Sequence, residues 1–263
     1  MLIKPMLANV CQCLPEEVDN AIYETKYDGM RIIIENNNDD LGTVLWTRGG
    51  KHVNNQFPNI RQEISKQRQF TLDCELVVFD SNRKSDISLL QKRSHTTNPM
   101  KISEFVKKLP ASLIVFDILA LDGEYLINHP LYERKEILDE VLKTSTNIIN
   151  TPRYTNTSLL MNLDIEGIIV KKLDKPYLPG KRTDNWLKYK FNKEGVFKVV
   201  DYELHPKGIV MITSEGHHIN CNGKQSVKGK SLIDSGIYFN IEVEFLEITK
   251  TGSLRFPSFK RYV

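Results

Sequence analysis

At 263 residues and 30.4 kDa, 40% of them hydrophobic and 26% charged, the chain has the composition of an ordinary globular protein that buries one large core or two smaller ones. Its net charge of +3 is too small to establish a nucleic-acid partner, yet it permits the local basic patches that phosphate binding needs. No apolar stretch approaches the ~20 residues of a membrane span, and the N-terminal MLIKPMLANV, broken by Pro5, lacks a signal-peptide core, so a soluble intracellular protein is expected. The four cysteines, at 11, 13, 74 and 221, give no disulfide framework. The CQC pair lacks a second Cys or His pair at zinc-finger spacing, so structural thiols in a reducing compartment are expected.

In chain order, the strand-like runs are MRIIIE from residue 30, GTVLWTR from 42, FTLDCELVVFD from 70, LIVFDILAL from 113, GIIVKK from 167 and WLKYKF from 186. Two helices are predicted between them. FPNIRQEISKQ sets Ile60 and Ile64 four apart, and YERKEILDEVLKT sets Ile137, Leu138, Val141 and Leu142 on one stripe above a polar surface face. From about residue 193 the texture changes to short strands joined by Gly- and Asn-containing turns: GVFKVVDYEL, GIVMITSEG, HHINCNG and FNIEVEFLEIT. Helical periodicity is almost absent there, as in a small antiparallel barrel or sandwich. The predicted architecture is a mixed α+β domain over residues 1–191 with antiparallel sheets and flanking helices, then a small all-β domain over 192–263.

Chemistry gathers first in AIYETKYDGMRIII, which sets Glu24, Lys26, Asp28 and Arg31 between apolar runs. Lys-x-Asp-Gly alone reads equally well as a turn with a solvated lysine. Other segments answer it. The two-residue period of FTLDCELVVFD puts Asp73 and Glu75 on one face and Leu72, Cys74, Leu76 and Val78 on the other. Such carboxylates are costly unless paired or bound to a cation. DIEGIIVKK opens with Glu166 and ends with Lys171 and Lys172. NWLKYKF projects Lys188 and Lys190 from one face together with Trp186. Two like charges side by side repel, and an anion between them, phosphate above all, removes that cost.

Lys26-Tyr27-Asp28-Gly29-Met30-Arg31 resembles motif I of the covalent nucleotidyltransferases: DNA ligases, RNA ligases and mRNA capping enzymes. TRGG at Arg48 resembles motif Ia, LDCELV motif III, VFDIL motif IIIa, EGIIVK motif IV and WLKYK motif V, in the family's order. Within that group the chain is most similar to ATP-dependent DNA ligases of minimal two-domain form. KPMLA resembles the entry to their adenylation domain, Arg31 fits KxDGxR, and LRFP near the C-terminus resembles the close of their OB-fold domain.

The resemblance implies that Lys26 attacks the α-phosphate of ATP and carries AMP to the 5′-phosphate of nicked duplex DNA, with Asp28, Lys188 and Lys190 assisting. It implies nucleotide contacts from Glu24, Arg31, Arg48, Glu75, Phe116 and Lys171. Phe116 would stack on the purine and Glu24 would read the exocyclic amine. Glu166, then Glu75, would hold a divalent cation, Mg²⁺ first and Mn²⁺ second. DNA contacts are implied for Arg31, Arg48 and Arg255. Lys224, Lys228 and Lys230 lie in NCNGKQSVKGKS, read either as a solvated loop or as a flexible loop that orders on DNA. His217 and His218 are assigned to surface or core packing, and a monomer is expected.

The sequence departs from the family pattern twice. Cys74 stands where motif III usually has glycine. After FPSFKRYV no Arg-x-Asp-Lys motif VI is recognisable, and Arg255, Lys260 and Arg261 are the expected stand-ins. Two rival readings stay open: an RNA ligase or GTP-using capping enzyme, and a nucleic-acid-binding module without chemistry.

Overall fold

The computed structural model describes residues 2–15, 18–37, 42–161, 163, 165–249 and 251–263. The chain divides into two compact units, Met1–Tyr189 and Lys190–Val263. The first is built on two sheets. One has four strands, β1 (Leu7–Val10), β2 (Ala21–Thr25), β9 (Gly167–Lys172) and β10 (Arg182–Lys190), in the order β1-β10-β9-β2. Within it β1 runs parallel to β10, and β2 antiparallel to β9. The other sheet has the order β4-β3-β5-β6-β7, from β3 (Met30–Asn36), β4 (Thr43–Thr47), β5 (Phe70–Val78), β6 (Ala111–Leu121) and β7 (Glu124–Tyr125). A further strand, β8 (Ile148–Asn150), runs parallel to β6.

Strand alternation divides the apolar side chains of this second sheet between two cores. Ile32, Ile34, Leu72, Cys74 and Leu76 face the helices and pack on Ile60 and Ile64 of α1 (Pro58–Ile64). Leu90 of α2 (Ile87–Ser94) and Leu138 of α4 (Leu131–Val141) join the same core. Ile33, Phe116 and Leu119 face the other way, into a smaller core with Met6, Tyr177 and Trp186. Two bulges in β6 help set that division. Its pairing with β5 steps from Val115↔Cys74 to Asp117↔Asp73, passing over Phe116, and from Ile118↔Leu72 to Ala120↔Thr71, passing over Leu119. An extra residue in one strand re-aims its side chain, and both passed-over residues enter the smaller core.

Neither α2 nor α3 (Pro99–Lys108) was among the predicted helices, although both carry start signals. The Asp86 side chain accepts from the Ser88 and Leu89 amides, and Asn98 accepts from those of Met100 and Lys101 ahead of Pro99. A single helical turn, α5 (Ser158–Met161), completes the unit.

The second unit is a five-stranded antiparallel sheet of order β13-β12-β11-β14-β17, formed by β11 (Lys193–His205), β12 (Gly208–Thr213), β13 (His218–Asn222), β14 (Phe239–Phe245) and β17 (Ser258–Tyr262). The outermost strands, β13 and β17, approach each other, so the sheet curls around Val199, Met211, Ile219, Ile241 and Val243. A two-stranded ribbon joins β15 (Glu247–Ile248) to β16 (Leu254–Arg255).

One prediction is corrected here. The segment expected to be a loop over residues 220–231 forms α6 (Gly223–Asp234), a helix of 12 residues. Its buried stripe is Ser226, Gly229 and the partly buried Ile233, so small residues at helical spacing hide the apolar period. At Gly229 an added Cβ would lie 2.6 Å from Met211 Cε and 2.9 Å from the Tyr262 hydroxyl. Glycine there lets the helix lie directly on the sheet. Among the described residues, no helix is long and apolar enough to cross a membrane.

Candidate active site

The short connection from β2 to β3 contains Lys26, Asp28 and Gly29, and it is held from two sides. The Lys26 amide donates to the Gly167 carbonyl (2.9 Å) at the start of β9. The Asp28 amide donates to Ser85 Oγ (3.0 Å). At Gly29 a Cβ would fall 2.3 Å from the Leu76 carbonyl oxygen on β5. Backbone cannot yield as a flexible side chain can, so this close approach requires glycine. The loop that looks like an ordinary turn in the sequence is therefore pressed against a central strand, with Lys26 at a fixed place.

Lys26 borders a cavity of about 440 Å³ in the first unit, within the size range of small-molecule sites. Glu24, Arg31, Arg48, Glu75, Phe116, Lys171 and Lys188, singled out from the sequence, all line it, as does Trp186. Glu166 reaches it through Lys26, whose ammonium lies 2.6 Å from Glu166 Oε2. Asp28 enters through its backbone, as above.

Lys190 differs from the expectation. It is the first residue of the second unit, and its ammonium sits 4.8 Å from the centre of the Phe256 ring. Among the expected stand-ins for motif VI, Arg255 pairs with Glu247 (3.1 Å), Arg261 with Glu242 (2.5 Å) and Lys260 with Glu194, all within the second unit. Of the α6 lysines, Lys230 bonds Asp234 (2.7 Å), Lys228 lies 4.4 Å over the Tyr262 ring, and Lys224 is exposed.

Besides Glu166, three carboxylates are buried in this unit, and each is neutralised by buried or partly buried cations. The Arg31 guanidinium grips Asp73 with two bonds, Nε to Oδ1 (2.5 Å) and Nη2 to Oδ2 (2.6 Å). The Tyr177 hydroxyl donates to the same Oδ2 (2.6 Å) and accepts from the Met6 amide (2.8 Å). So fixed, Arg31 lies 4.3 Å over the face of Phe116. Burial disfavours its charge, but Asp73 outweighs this and raises the guanidinium pKa above its already high value.

Asp117, directly across from Asp73 on β6, is held by Arg134 of α4 in the same two-pronged way, both bonds 2.8 Å and both side chains fully buried. Two carboxylates facing each other across strands would repel. A separate arginine on each removes that cost.

Glu24 is the third. Lys135 bonds its Oε1, and Lys171 Nζ lies 2.6 Å from Oε2. Burial works to raise the Glu24 pKa, but the two ammoniums reverse this and hold it below the usual carboxylate range. Lys171 is less well compensated. Burial lowers its pKa to about 8 against the pull of Glu24, with Lys135 adding repulsion. Its ammonium rests over Trp186 (4.2 Å) and Phe116 (4.5 Å), where the ring faces partly replace water.

Glu75, half-buried opposite Arg31 on the β3–β5 pair, is pushed by burial up to about 7, although Arg31 and Lys26 pull it down. Among the described residues, no three His, Cys, Asp or Glu side chains cluster as a metal cage. Glu166 and Glu75, both within the influence of Lys26, are the carboxylates that could serve a divalent cation whose shell phosphate and water complete.

Sequence reasoning missed Asp117, Arg134, Lys135 and Tyr177. A signal existed for two of them. Residues 131, 134, 135, 138 and 141 form one helical stripe, and all are buried. Charged residues on an apolar stripe imply buried partners.

Comparison with known proteins follows the same lines. The sequence matches the family described as "ATP dependent DNA ligase domain" over residues 5–190, most of the chain. It is 30% identical over 223 residues to the DNA ligase of Methanosphaera stadtmanae, covering 78% of this chain and 39% of that one. It is 31% identical over 220 residues to DNA ligase C1 of Mycolicibacterium smegmatis, covering 78% and 61%. The chain thus spans two to three fifths of the length of these relatives.

Among solved structures, the fold resembles a Lig E DNA ligase (TM-score 0.72, 16% identity, the whole of both chains) and the ligase domain of M. tuberculosis LigD (TM-score 0.64, 21% identity, 99% and 95%). The fold is that of a nucleotidyltransferase-type ligase domain made of sheets and helices. The chain belongs to the ATP-dependent DNA ligase domain family.

Proposed function

We propose that this chain is an ATP-dependent DNA ligase that seals nicks between a 5′-phosphate and a 3′-hydroxyl in duplex DNA through AMP carried on Lys26. The observation that carries this reading is the placing of Lys26 in a cavity shared by Lys188, Arg48, Glu75 and Phe116, with Glu166 at its amine. Family membership and the relatives' names support the same chemistry.

In the first step the Lys26 amine bonds to the α-phosphorus of ATP, the bond to the bridging oxygen breaks, and pyrophosphate leaves. In the second, an oxygen of the DNA 5′-phosphate displaces the lysine and takes the AMP. In the third, the 3′-hydroxyl attacks that 5′-phosphorus and expels AMP. An ammonium is not a nucleophile, so Lys26 must lose a proton before the first step, and Glu166 Oε2 at 2.6 Å is the acceptor bonded to it. Lys188 and Arg48, lining the same cavity, would stabilise charge on the transferring phosphate, where most help in such reactions lies.

Phe116 would stack on the adenine and Glu24 would accept from its amino group. Glu75 would hold either the ribose or, after Glu166, the divalent cation. That cation, Mg²⁺ first, would supply positive charge at the phosphate oxygens. The Asp28 carboxylate would orient groups beside the nucleophile, and Arg31 and Arg48 would meet the DNA 5′-phosphate or the ribose.

The second unit is read as an OB-type barrel. Its strand order, the approach of β13 to β17, and a helix between its third and fourth strands support this. Lys224, Lys228, Lys230 and Arg255 would meet phosphates there, and one cavity serving one nick would work as a monomer.

Incubation with ATP and magnesium, followed by mass spectrometry of the Lys26 peptide, is expected to find the AMP adduct on the native protein and none on Lys26→Ala. Equal labelling of the two would remove Lys26 from its role. Labelling by GTP alone, or joining of nicked RNA in preference to DNA, would favour the capping-enzyme or RNA-ligase reading.

A further inference from the structure

Two residues expected to read the base stand on different sheets: Glu24 on β2 and Phe116 on β6. Both line the cavity. Nothing in their own strands fixes the distance between them. Two lysines reach both: Lys171, 2.6 Å from Glu24 Oε2 and 4.5 Å over the Phe116 ring, and, bonding the Phe116 backbone instead, Lys135, on the buried face of α4 and 2% exposed. Its ammonium donates to Glu24 Oε1 and, at 2.7 Å, to the backbone carbonyl of Phe116. Lys135 does not itself line the cavity.

The residue before it, Arg134, is locked to Asp117, which follows Phe116 in β6, and also donates to the His129 carbonyl (2.6 Å). Helix α4 is therefore pinned to β6 by one cation while the next bridges to β2.

A carboxylate oxygen has two lone pairs. The Lys135 bond uses one lone pair of Oε1, and the Lys171 ammonium holds Oε2 by charge at 2.6 Å, so the carboxylate loses its freedom to rotate and still has lone pairs to offer. An ionised acceptor held this way suits an amino group and opposes a carbonyl oxygen in the same place. This is the difference between the 6-positions of adenine and guanine.

We propose that Lys135 is a positioning residue that sets the Glu24 carboxylate against Phe116 and thereby the preference of the cavity for adenine over guanine nucleotides. The inference rests on the nucleotide reading above and assigns to it a residue outside the cavity wall.

The test is a mutant cycle on the full chain, read by adduct formation on Lys26 with α-labelled ATP and GTP over a range of concentrations. Lys135→Met is expected to raise the KM for ATP roughly 10- to 100-fold, as loss of a charged hydrogen-bond partner does. The maximal rate should stay within a few-fold, and the preference for ATP over GTP should fall by a similar factor. Lys135→Arg, which keeps the charge, should recover part of the loss, and it replaces the methionine variant if that one fails to fold. On a Glu24→Gln background neither change should alter nucleotide preference further, because the effect passes through Glu24.

Unchanged KM and preference in the single variants would overturn the proposal. So would full additivity with Glu24→Gln, or loss confined to the maximal rate. Absence of any Lys26 adduct in the native protein would instead overturn the nucleotide reading, and this inference with it.

Discussion

The two units treat charge in opposite ways. In the first, Asp73, Asp117 and Glu24 are buried, and each is matched to buried or partly buried cations. The second unit closes on an apolar core and, among the described residues, buries no Asp, Glu, Lys or Arg; ion pairs such as Lys260–Glu194 and Lys230–Asp234 stand at its surface. Removing one partner of a buried pair strands the other in a medium that cannot solvate it, whereas an exposed charge turns to water. Surface pairs could be shuffled at little cost. The buried set fixes Arg31, Glu24 and Phe116 relative to one another.

That contrast can be tested from the largest expected effect to the smallest. Arg134→Met leaves Asp117 buried and unpaired and is expected to cost about 3–5 kcal/mol of stability, read as a drop in urea midpoint. A cost no greater than that of a surface variant would end the distinction.

The second effect depends on pH. Glu75 has a folded pKa of about 7 against an ordinary 4.5. As pH rises through that window the unfolded chain gives up its proton first, so the group's contribution to stability declines from about pH 4.5 to 7 and then levels off. Glu75→Gln removes that decline. The variant should gain on the native protein progressively across the window and keep a constant lead above it. A difference between the two that does not vary with pH would show that Glu75 ionises as an ordinary carboxyl. Last, Lys260→Ala, on a pair open to solvent, is expected to leave the urea midpoint within experimental error.

Much of this was legible in the sequence. The run MRIIIE became β3, FTLDCELVVFD became β5, and Leu72, Cys74 and Leu76 turned to the core as alternation required. The motif residues Glu24, Lys26, Arg31, Glu75, Phe116, Lys171 and Lys188 do converge on one cavity. Other features depend on tertiary geometry. The bulges that re-aim Phe116 and Leu119 belong to the pairing of β6 with β5, and neither strand's own pattern announces them. Helix α6 escaped because its buried side is serine and glycine. Lys135 looked like a solvated residue between Glu133 and Glu136, and only the stripe from Leu131 to Leu138 argued otherwise. Lys190 ends the same strand as Lys188, β10, at the residue where the two units divide.

The pairing of β1 with β10, and of β2 with β9, has a consequence for how the molecule is made. Residues 7–10 meet residues 182–188, and residues 21–25 meet 168–172. Long-range pairings of this kind form late and slowly. As the chain leaves the ribosome, the segment bearing Lys26 waits for partners more than 140 residues downstream. A truncated translation product therefore holds the motif without the pocket, which is complete only when the last strand of the first unit has been synthesised.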